Sequence, residues 1–350
     1  MNDMQDEAYK LGCGRLLFAH GAIRCLGEEA RRLGHSAYLL GGPHAMAQVQ
    51  DAMEASLRAS AIRYSVDVYE GPCSEEKAED IAWICREQGA ELLIGAGGGR
   101  IMDLVKMAAE TAHLPVITIP TISATCAAYT PLSVVYTPEG ACRGTWYFRR
   151  EVDCLICDLD ILCTQKPRYL AAGILDAMAK HVEITHHQFR MENAGQDVCL
   201  ARLVARNLYE DLLALGTKAL QGDAQAIERC VFHVIVTTGL VSGMARGRYQ
   251  SALAHAVYEA IRTCYTEQSR PWLHGEVVAV GLLLQARYLG EEAMADELLG
   301  LMQAAGMPTG FRQIGVDGDL EALAAHDPVP RYYLHGKGDA QTLACLMAEA

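Results

Sequence analysis

The chain has 350 residues, 51% hydrophobic and 21% charged, a composition that excludes a disordered chain, a collagen or a disulfide-stapled miniprotein and suits about two domains of ordinary size. Thirty basic against 43 acidic residues give a net charge of −13. With no basic run longer than Arg31-Arg32 or Arg149-Arg150, the concentrated cationic footprint that a nucleic-acid backbone requires is missing.

The opening Met1-Asn2-Asp3-Met4-Gln5-Asp6-Glu7 carries acids where a secretory signal needs bases, and no apolar run is expected to reach membrane-spanning length, so a cytoplasmic protein with no membrane partner is expected. The thirteen cysteines are an odd number at irregular spacings, which reads as reduced, mostly buried thiols. The C-x-x-C of Cys154 and Cys157 has no second pair and lies in an apolar run, so it is expected to be core strand and not a metal or redox site.

Along the first half, short apolar runs end in Gly or Pro: Ser36 to Leu40, Ser65 to Tyr69, Glu91 to Ile94 and Pro115 to Ile119. Helical patterns such as Glu75 to Gln88 and Ile101 to Ala112 lie between them, and this rhythm predicts an α/β domain with a parallel sheet. Cys154 to Leu162 reads as the last strand. Thr164-Gln165-Lys166-Pro167 then marks a helix start, and from Tyr169 the pattern is helical throughout: Tyr169 to His187, Val198 to Leu215, Ala224 to Ser242, Ser251 to Thr263 and Gly275 to Tyr288. The expected division is an α/β domain over 1–165 and an all-helical domain over 166–350.

Three regions carry chemistry. In Gly95-Ala96-Gly97-Gly98-Gly99-Arg100 a buried strand runs into a glycine loop and then a helix; bare backbone N–H groups and a helix N-terminus suit phosphate oxygens. The spacing departs from G-x-G-x-x-G and no acidic residue stands about 20 positions on, so a plain tight connection is the competing reading.

The next strand opens into a loop of small and hydroxyl residues, Thr121 to Ser133, and in an open α/β sheet ligands sit beyond the carboxyl ends of the strands. The competing reading is a turn whose hydroxyls satisfy its own backbone.

In the helical half, Asp176, His255 and His274 lie in apolar or small-residue settings, where an unpaired ionisable group is costly. Two imidazoles and a carboxylate leave a divalent cation one open position, the pattern of catalytic sites, although each alone also reads as a hydrogen-bonded core residue. His186-His187 is a rival pair, but its polar neighbours Gln188, Arg190 and Glu192 suggest a solvated face.

Taken together, these pieces resemble the metal-dependent (iron-containing) alcohol dehydrogenase family that includes glycerol dehydrogenase. The string Pro120 to Val134, with Thr121-Ile122-Ser123-Ala124-Thr125-Cys126-Ala127-Ala128-Tyr129-Thr130-Pro131-Leu132-Ser133 inside it, is similar to the hydroxycarboxylate dehydrogenase branch. The resemblance implies a Rossmann-like nucleotide-binding α/β domain, an all-α catalytic domain, the architecture shared with dehydroquinate synthase, and an active site in the cleft between the domains.

It assigns the pyrophosphate of NAD or NADP to Gly97, Gly98 and Gly99 with Asp103 beside them, and further cofactor contacts to Thr121, Thr125, Thr130, Leu132 and Tyr136. It assigns one divalent metal, zinc or iron, to Asp176, His255 and His274. Three positions depart from the family pattern: Cys126 stands where glycerol dehydrogenases have an Asp that contacts the polyol, Tyr258 where a second His is common, and Arg100 where a Lys is usual. Cys126 is therefore expected to face the substrate and turn selectivity from glycerol towards a 2-hydroxy acid/2-oxo acid pair, with Arg246 and Arg248 near enough to face its carboxylate.

The turn Gly41-Gly42-Pro43-His44 has no acid to repel a 2′-phosphate, so NADP(H) is expected to be preferred and NAD(H) tolerated, with Gly42 at the cofactor. The alternatives are a glycerol or polyol dehydrogenase, a lyase resembling dehydroquinate synthase, and a silent cofactor-binding homologue. The substrate is expected to be a small molecule and the assembly a homo-oligomer.

Overall fold

The computed structural model describes residues 9–188, 195–245, 249–334 and 336–349. The chain divides into two compact units, Met1–Gln165 and Lys166–Ala350.

In the first unit the chain runs β1 (Leu16–Ala19), α1 (Leu26–Leu33), β2 (Ser36–Gly41), α2 (Pro43–Ala59), β3 (Arg63–Val68), α3 (Glu75–Gln88), β4 (Leu92–Gly97), α4 (Gly99–Ala112) and β5 (Val116–Pro120). A hairpin of β6 (Leu132–Tyr136) and β7 (Cys142–Tyr147) follows, then β8 (Cys154–Asp158) and a single turn, α5 (Leu159–Leu162). Six strands form one parallel sheet in the order β1-β8-β5-β4-β2-β3, and β6 and β7 pair antiparallel.

Both faces of the sheet are covered, as continuous apolar strands require. Ala37, Leu39, Ile94, Ile117 and Ile156 pack with Met46, Val49 and Met53 of α2, while Tyr38, Leu40, Leu93 and Val116 pack with Ile81 of α3 and Leu104 and Val105 of α4. Cys154 and Cys157 are fully buried in β8, and burial pushes the Cys154 thiol up to about 12, so this C-x-x-C is core strand.

The chain leaves β2 for the outer strand β3 and returns to β4 on the other flank of β2. That reversal is a topological switch point, where open α/β sheets place ligands beyond the carboxyl ends of their strands. Two glycine segments meet there: Gly41 pairs with Ala96, and the Gly42 N–H donates to the Ala96 carbonyl at 3.3 Å.

The second unit is helical: α6 (Pro167–Gln188), α7 (Gln196–Leu220), α8 (Ala224–Phe232), a π-helical turn His233–Thr237, α9 (Thr238–Ala245), α10 (Leu253–Cys264), α11 (Thr266–Ser269), α12 (His274–Leu289), α13 (Glu292–Ala304), α14 (Leu320–Ala325) and α15 (Ala340–Glu349). The continuous run Ala224–Ala245 is long and apolar enough to cross a membrane, contrary to the expectation that no such run exists, but 72% of its window is buried. It packs against α6 and α7 as a core helix.

Two other expectations are corrected. The run read as a strand from Cys154 to Leu162 stops at Asp158, whose carboxylate accepts the Asp160 N–H at 2.9 Å and starts a helical turn. His186 and His187 are not on a solvated face: they are 0% and 8% exposed, and their Nε2 atoms lie 2.9 Å from the Tyr332 carbonyl and 2.8 Å from the Ser251 carbonyl. Both imidazoles are held by backbone carbonyls of residues far along the chain; of the polar residues that suggested a surface, Arg190 and Glu192 lie outside the described residues.

Candidate active site

The close approach of three helices builds the metal-ligating cluster. A Cβ on Gly275 would sit 2.0 Å from the Ala172 carbonyl oxygen, and one on Gly281 would sit 2.7 Å from that of Ala254. Glycine at these positions lets the start of α12 lie against α6, and its body against α10.

The loop that enters α12 is clamped from two sides. Arg168 of α6 donates to Glu276 at 2.5 and 2.7 Å and to the Pro271 carbonyl at 3.1 Å, while Arg262 of α10 donates to the carbonyls of Ser269 and Trp272 at 2.5 and 2.7 Å. Glu276 also accepts the Leu273 N–H at 2.8 Å, which closes the helix start immediately before His274.

Asp176 from α6, His255 from α10 and His274 from α12 thereby converge, with one ligating atom from each within 4.8 Å of the others. Asp176 Oδ1 lies 3.5 Å from His255 Nε2 and 3.2 Å from His274 Nε2, and this buried oxygen accepts no hydrogen bond. Burial acts to raise the Asp176 carboxyl, and the two imidazoles outweigh it, holding the group well below the usual carboxylate range. An orphaned, ionised carboxylate oxygen facing two ring nitrogens is a donor set suited to a divalent cation.

Glu183 completes the set, and the sequence reading missed it. It sits on α6 seven residues after Asp176, two turns on along the same helix face, and is fully buried. Its carboxylate lies 2.6 Å from His255 Nδ1 and accepts the backbone N–H groups of Ala252 and His255 at 2.7 and 3.0 Å. Burial works against a charged imidazole at His255, and Glu183 overcomes it, so His255 is pushed up to about 9 although Lys180 pulls the other way. A carboxylate on Nδ1 fixes the proton there and leaves Nε2 free to ligate. The spacing Asp-x6-Glu was the available signal.

Tyr258, three residues after His255, packs edge-on to His274 with ring centroids 4.3 Å apart. It orients that imidazole by contact. Arg246 and Arg248 lie outside the described residues.

In the first unit, Gly98 is the N-cap of α4 in extended conformation, and the Thr121 N–H donates to the Gly97 carbonyl at 3.1 Å, which ties the β4 loop to the β5 loop. The loop is a backbone cradle: a Cβ on Gly98 would lie 2.9 Å from Ile122 Cδ1, and one on Gly99 would lie 2.9 Å from Thr125 Oγ1. Thr121 is buried and Thr125 half-buried. Thr130 Oγ1 is buried without a hydrogen-bond partner.

Leu132 and Tyr136 are half-buried on β6, and Cys126 is half-buried in a helical turn whose carbonyl accepts from Tyr129 and Thr130. Within the loop Thr125 Oγ1 accepts the Ala127 N–H at 3.4 Å, and residues outside it satisfy other groups: Thr118 of β5 donates to the Ala128 carbonyl at 2.7 Å and the Gln165 amide donates to Ser123 Oγ at 2.7 Å.

Asp103 is placed differently from the phosphate glycines it was grouped with. It is buried, with one oxygen 3.1 Å from Lys106 Nζ and the other accepting the Val134 N–H at 3.2 Å. Burial raises its carboxyl. Lys106 in turn donates to the carbonyls of Thr130 and Leu132, so this pair anchors the start of β6 to α4.

A family model described as "Iron-containing alcohol dehydrogenase" matches residues 13–158. Hydroxycarboxylate dehydrogenase A of Escherichia coli is 30% identical over 279 residues, 77% of this chain and 76% of that protein. Glycerol dehydrogenase of Thermotoga maritima is 28% identical over 318 residues, 87% of this chain and 84% of the relative. Among solved structures, a probable glycerol dehydrogenase from Sinorhizobium meliloti superposes with a TM-score of 0.83 at 21% identity, covering 98% of this chain and 97% of that one.

Proposed function

The chain belongs to the iron-containing alcohol dehydrogenase family, and on that premise we propose that it transfers hydride between a nicotinamide and a small 2-hydroxy acid/2-oxo acid pair. The family is one of NAD(P)- and metal-dependent dehydrogenases. The observation that carries the reading is the convergence of Asp176, His255 and His274, with the buried Asp176 Oδ1 facing two imidazole nitrogens and Glu183 behind His255.

In this reading Asp176, His255 and His274 hold the cation, Glu183 keeps the His255 proton on Nδ1, and Arg168 and Arg262 fix the approach to His274. A divalent cation held there supplies Lewis acidity, which lowers an alcohol's pKa or polarises a carbonyl; two imidazoles and one carboxylate suit zinc and iron(II) alike. Gly97, Gly98 and Gly99 hold the pyrophosphate at the start of α4, where free N–H groups and the helix dipole favour an anion. Thr121, Thr125, Thr130, Leu132 and Tyr136 line the same cofactor. Asp103, with both oxygens engaged by Lys106 and Val134, supports that wall from behind.

Support for an acid substrate comes from Cys126, a thiol that does not repel an anion, and from the Escherichia coli relative named a hydroxycarboxylate dehydrogenase. The Thermotoga maritima relative named a glycerol dehydrogenase favours the second reading, a polyol substrate.

An activity screen of zinc- and iron-loaded protein over 2-oxo acids, aldehydes and polyols with both cofactors tests the proposal. The highest kcat/KM is expected for a 2-oxo acid with NADPH. Turnover confined to glycerol and related diols would overturn the acid reading and leave the dehydrogenase intact.

A further inference from the structure

Lys180 stands on α6 one turn after Asp176 and one turn before Glu183, on the helix face that carries both carboxylates. It is 7% exposed. Among the described residues its ammonium has one hydrogen bond, to the Gln250 carbonyl at a long 3.4 Å, and no ion pair.

A buried ammonium so weakly partnered is costly, because burial removes water and a single long bond to a neutral carbonyl returns little of it. Glu183, the nearest carboxylate along the helix, already serves His255 Nδ1 and two backbone N–H groups. Glu259, one turn beyond His255 on α10, is half-buried and forms no ion pair with Lys180.

The charge count points the same way. Asp176 and Glu183 together balance a divalent cation, and the charge of Lys180 is left over. A neutral polyol leaves this surplus in place, whereas a monoanionic substrate cancels it.

We propose that Lys180 is a specificity-determining residue that binds the carboxylate of the substrate while the substrate's 2-oxygen occupies the site formed by Asp176, His255 and His274. This rests on the 2-oxo acid reading above. An ammonium is a point charge on a flexible stem, so it accommodates acids of different chain length, and it distinguishes them from diols by charge alone.

The test uses the full-length, zinc-loaded protein and Lys180→Gln, which keeps a donor for the Gln250 carbonyl and removes the charge, with Lys180→Arg as the charge-restoring variant. Calorimetry with oxamate, a monoanionic mimic of a 2-oxo acid, is expected to give a Kd at least tenfold weaker in Lys180→Gln and largely restored in Lys180→Arg. The ratio of kcat/KM for pyruvate to that for glycerol is expected to fall at least tenfold in Lys180→Gln.

An unchanged oxamate Kd, or equal loss of pyruvate and glycerol turnover, would overturn the proposal, the latter because a merely structural lysine affects both substrates alike. A wild-type protein that neither binds oxamate nor reduces any 2-oxo acid would instead sink the substrate reading itself. If Lys180→Gln does not fold, Lys180→Met serves for the same oxamate titration.

Discussion

Replacing Glu183 by Gln probes whether the carboxylate behind His255 sets the affinity of the metal site. The amide oxygen can still accept the N–H groups of Ala252 and His255, which now lie 2.7 and 3.0 Å from Oε1. The amide nitrogen then replaces the oxygen that stands 2.6 Å from His255 Nδ1, and a donor faces a donor. The imidazole relieves that conflict by moving its proton to Nε2, the atom directed at Asp176 Oδ1, which removes the lone pair a cation would use. Loss of such a supporting partner typically costs about 10- to 100-fold in metal affinity, or about 1.4–2.7 kcal/mol.

Zinc competition against a chromophoric chelator measures the change directly, and thermal unfolding of the metal-free protein separates it from a folding defect. Glu183→Ala supplies the contrast: it also strips two backbone donors at the start of α10, each costing about 1–3 kcal/mol when left unsatisfied. The metal-free Glu183→Ala variant is therefore expected to melt well below Glu183→Gln. Zinc affinity within twofold of wild type in Glu183→Gln would refute the reasoning.

Gly42→Asp is expected to move cofactor preference towards NAD(H) by about tenfold, or about 1.4 kcal/mol, read from initial rates with both cofactors; a Cβ there meets its nearest neighbour at an ordinary 3.7 Å. Gly41→Asp, at the adjacent position, is expected to lower thermal stability, since its Cβ would fall 2.3 Å from Met46 Sδ and 3.1 Å from the Ala96 carbonyl. Gly275→Ala is expected to destabilise the protein by about 1–3 kcal/mol or more in denaturant unfolding, because the clash at 2.0 Å is with a backbone oxygen that cannot turn aside. Glu29 is buried between Arg15 and Arg32; burial acts to raise its carboxyl, but these partners hold it below its ordinary value. Its stabilising contribution is therefore present above that value and lost as pH falls through the folded one, and Glu29→Gln is expected to show a smaller drop in Tm than wild type between about pH 6 and about pH 3.

What could be read from the sequence divides along the range of the forces involved. The strands β2, β4 and β5 and the helix α3 were legible because their signals are local: apolar runs closed by Gly or Pro, and a Ser74 cap before Glu75. The end of β4 was read too early for an equally physical reason. Gly95 belongs inside the strand because its missing Cβ makes room for Val105 of α4, which would otherwise lie 2.4 Å away, and a residue count cannot show that contact. The β6–β7 hairpin escaped because its first strand looked like the tail of a hydroxyl-rich loop, and the buried Lys106 pins that strand through the carbonyls of Thr130 and Leu132.

At the cluster of the second unit, long-range packing decides the outcome. Asp176, His255 and His274 are spread over almost a hundred residues, so no spacing rule joins them: their apolar settings made each a candidate, and the resemblance to a family assigned all three to one metal. The same packing reversed the reading of His186 and His187, which lie against the carbonyls of Tyr332 and Ser251, residues distant in sequence. Glu183 and Lys180 were in principle the most legible, because they share a helix face with Asp176 at offsets of seven and four. A buried face that alternates carboxylate, ammonium and carboxylate is too costly to keep as packing alone, and that cost makes it a sign of a site wherever a core helix carries such a stripe.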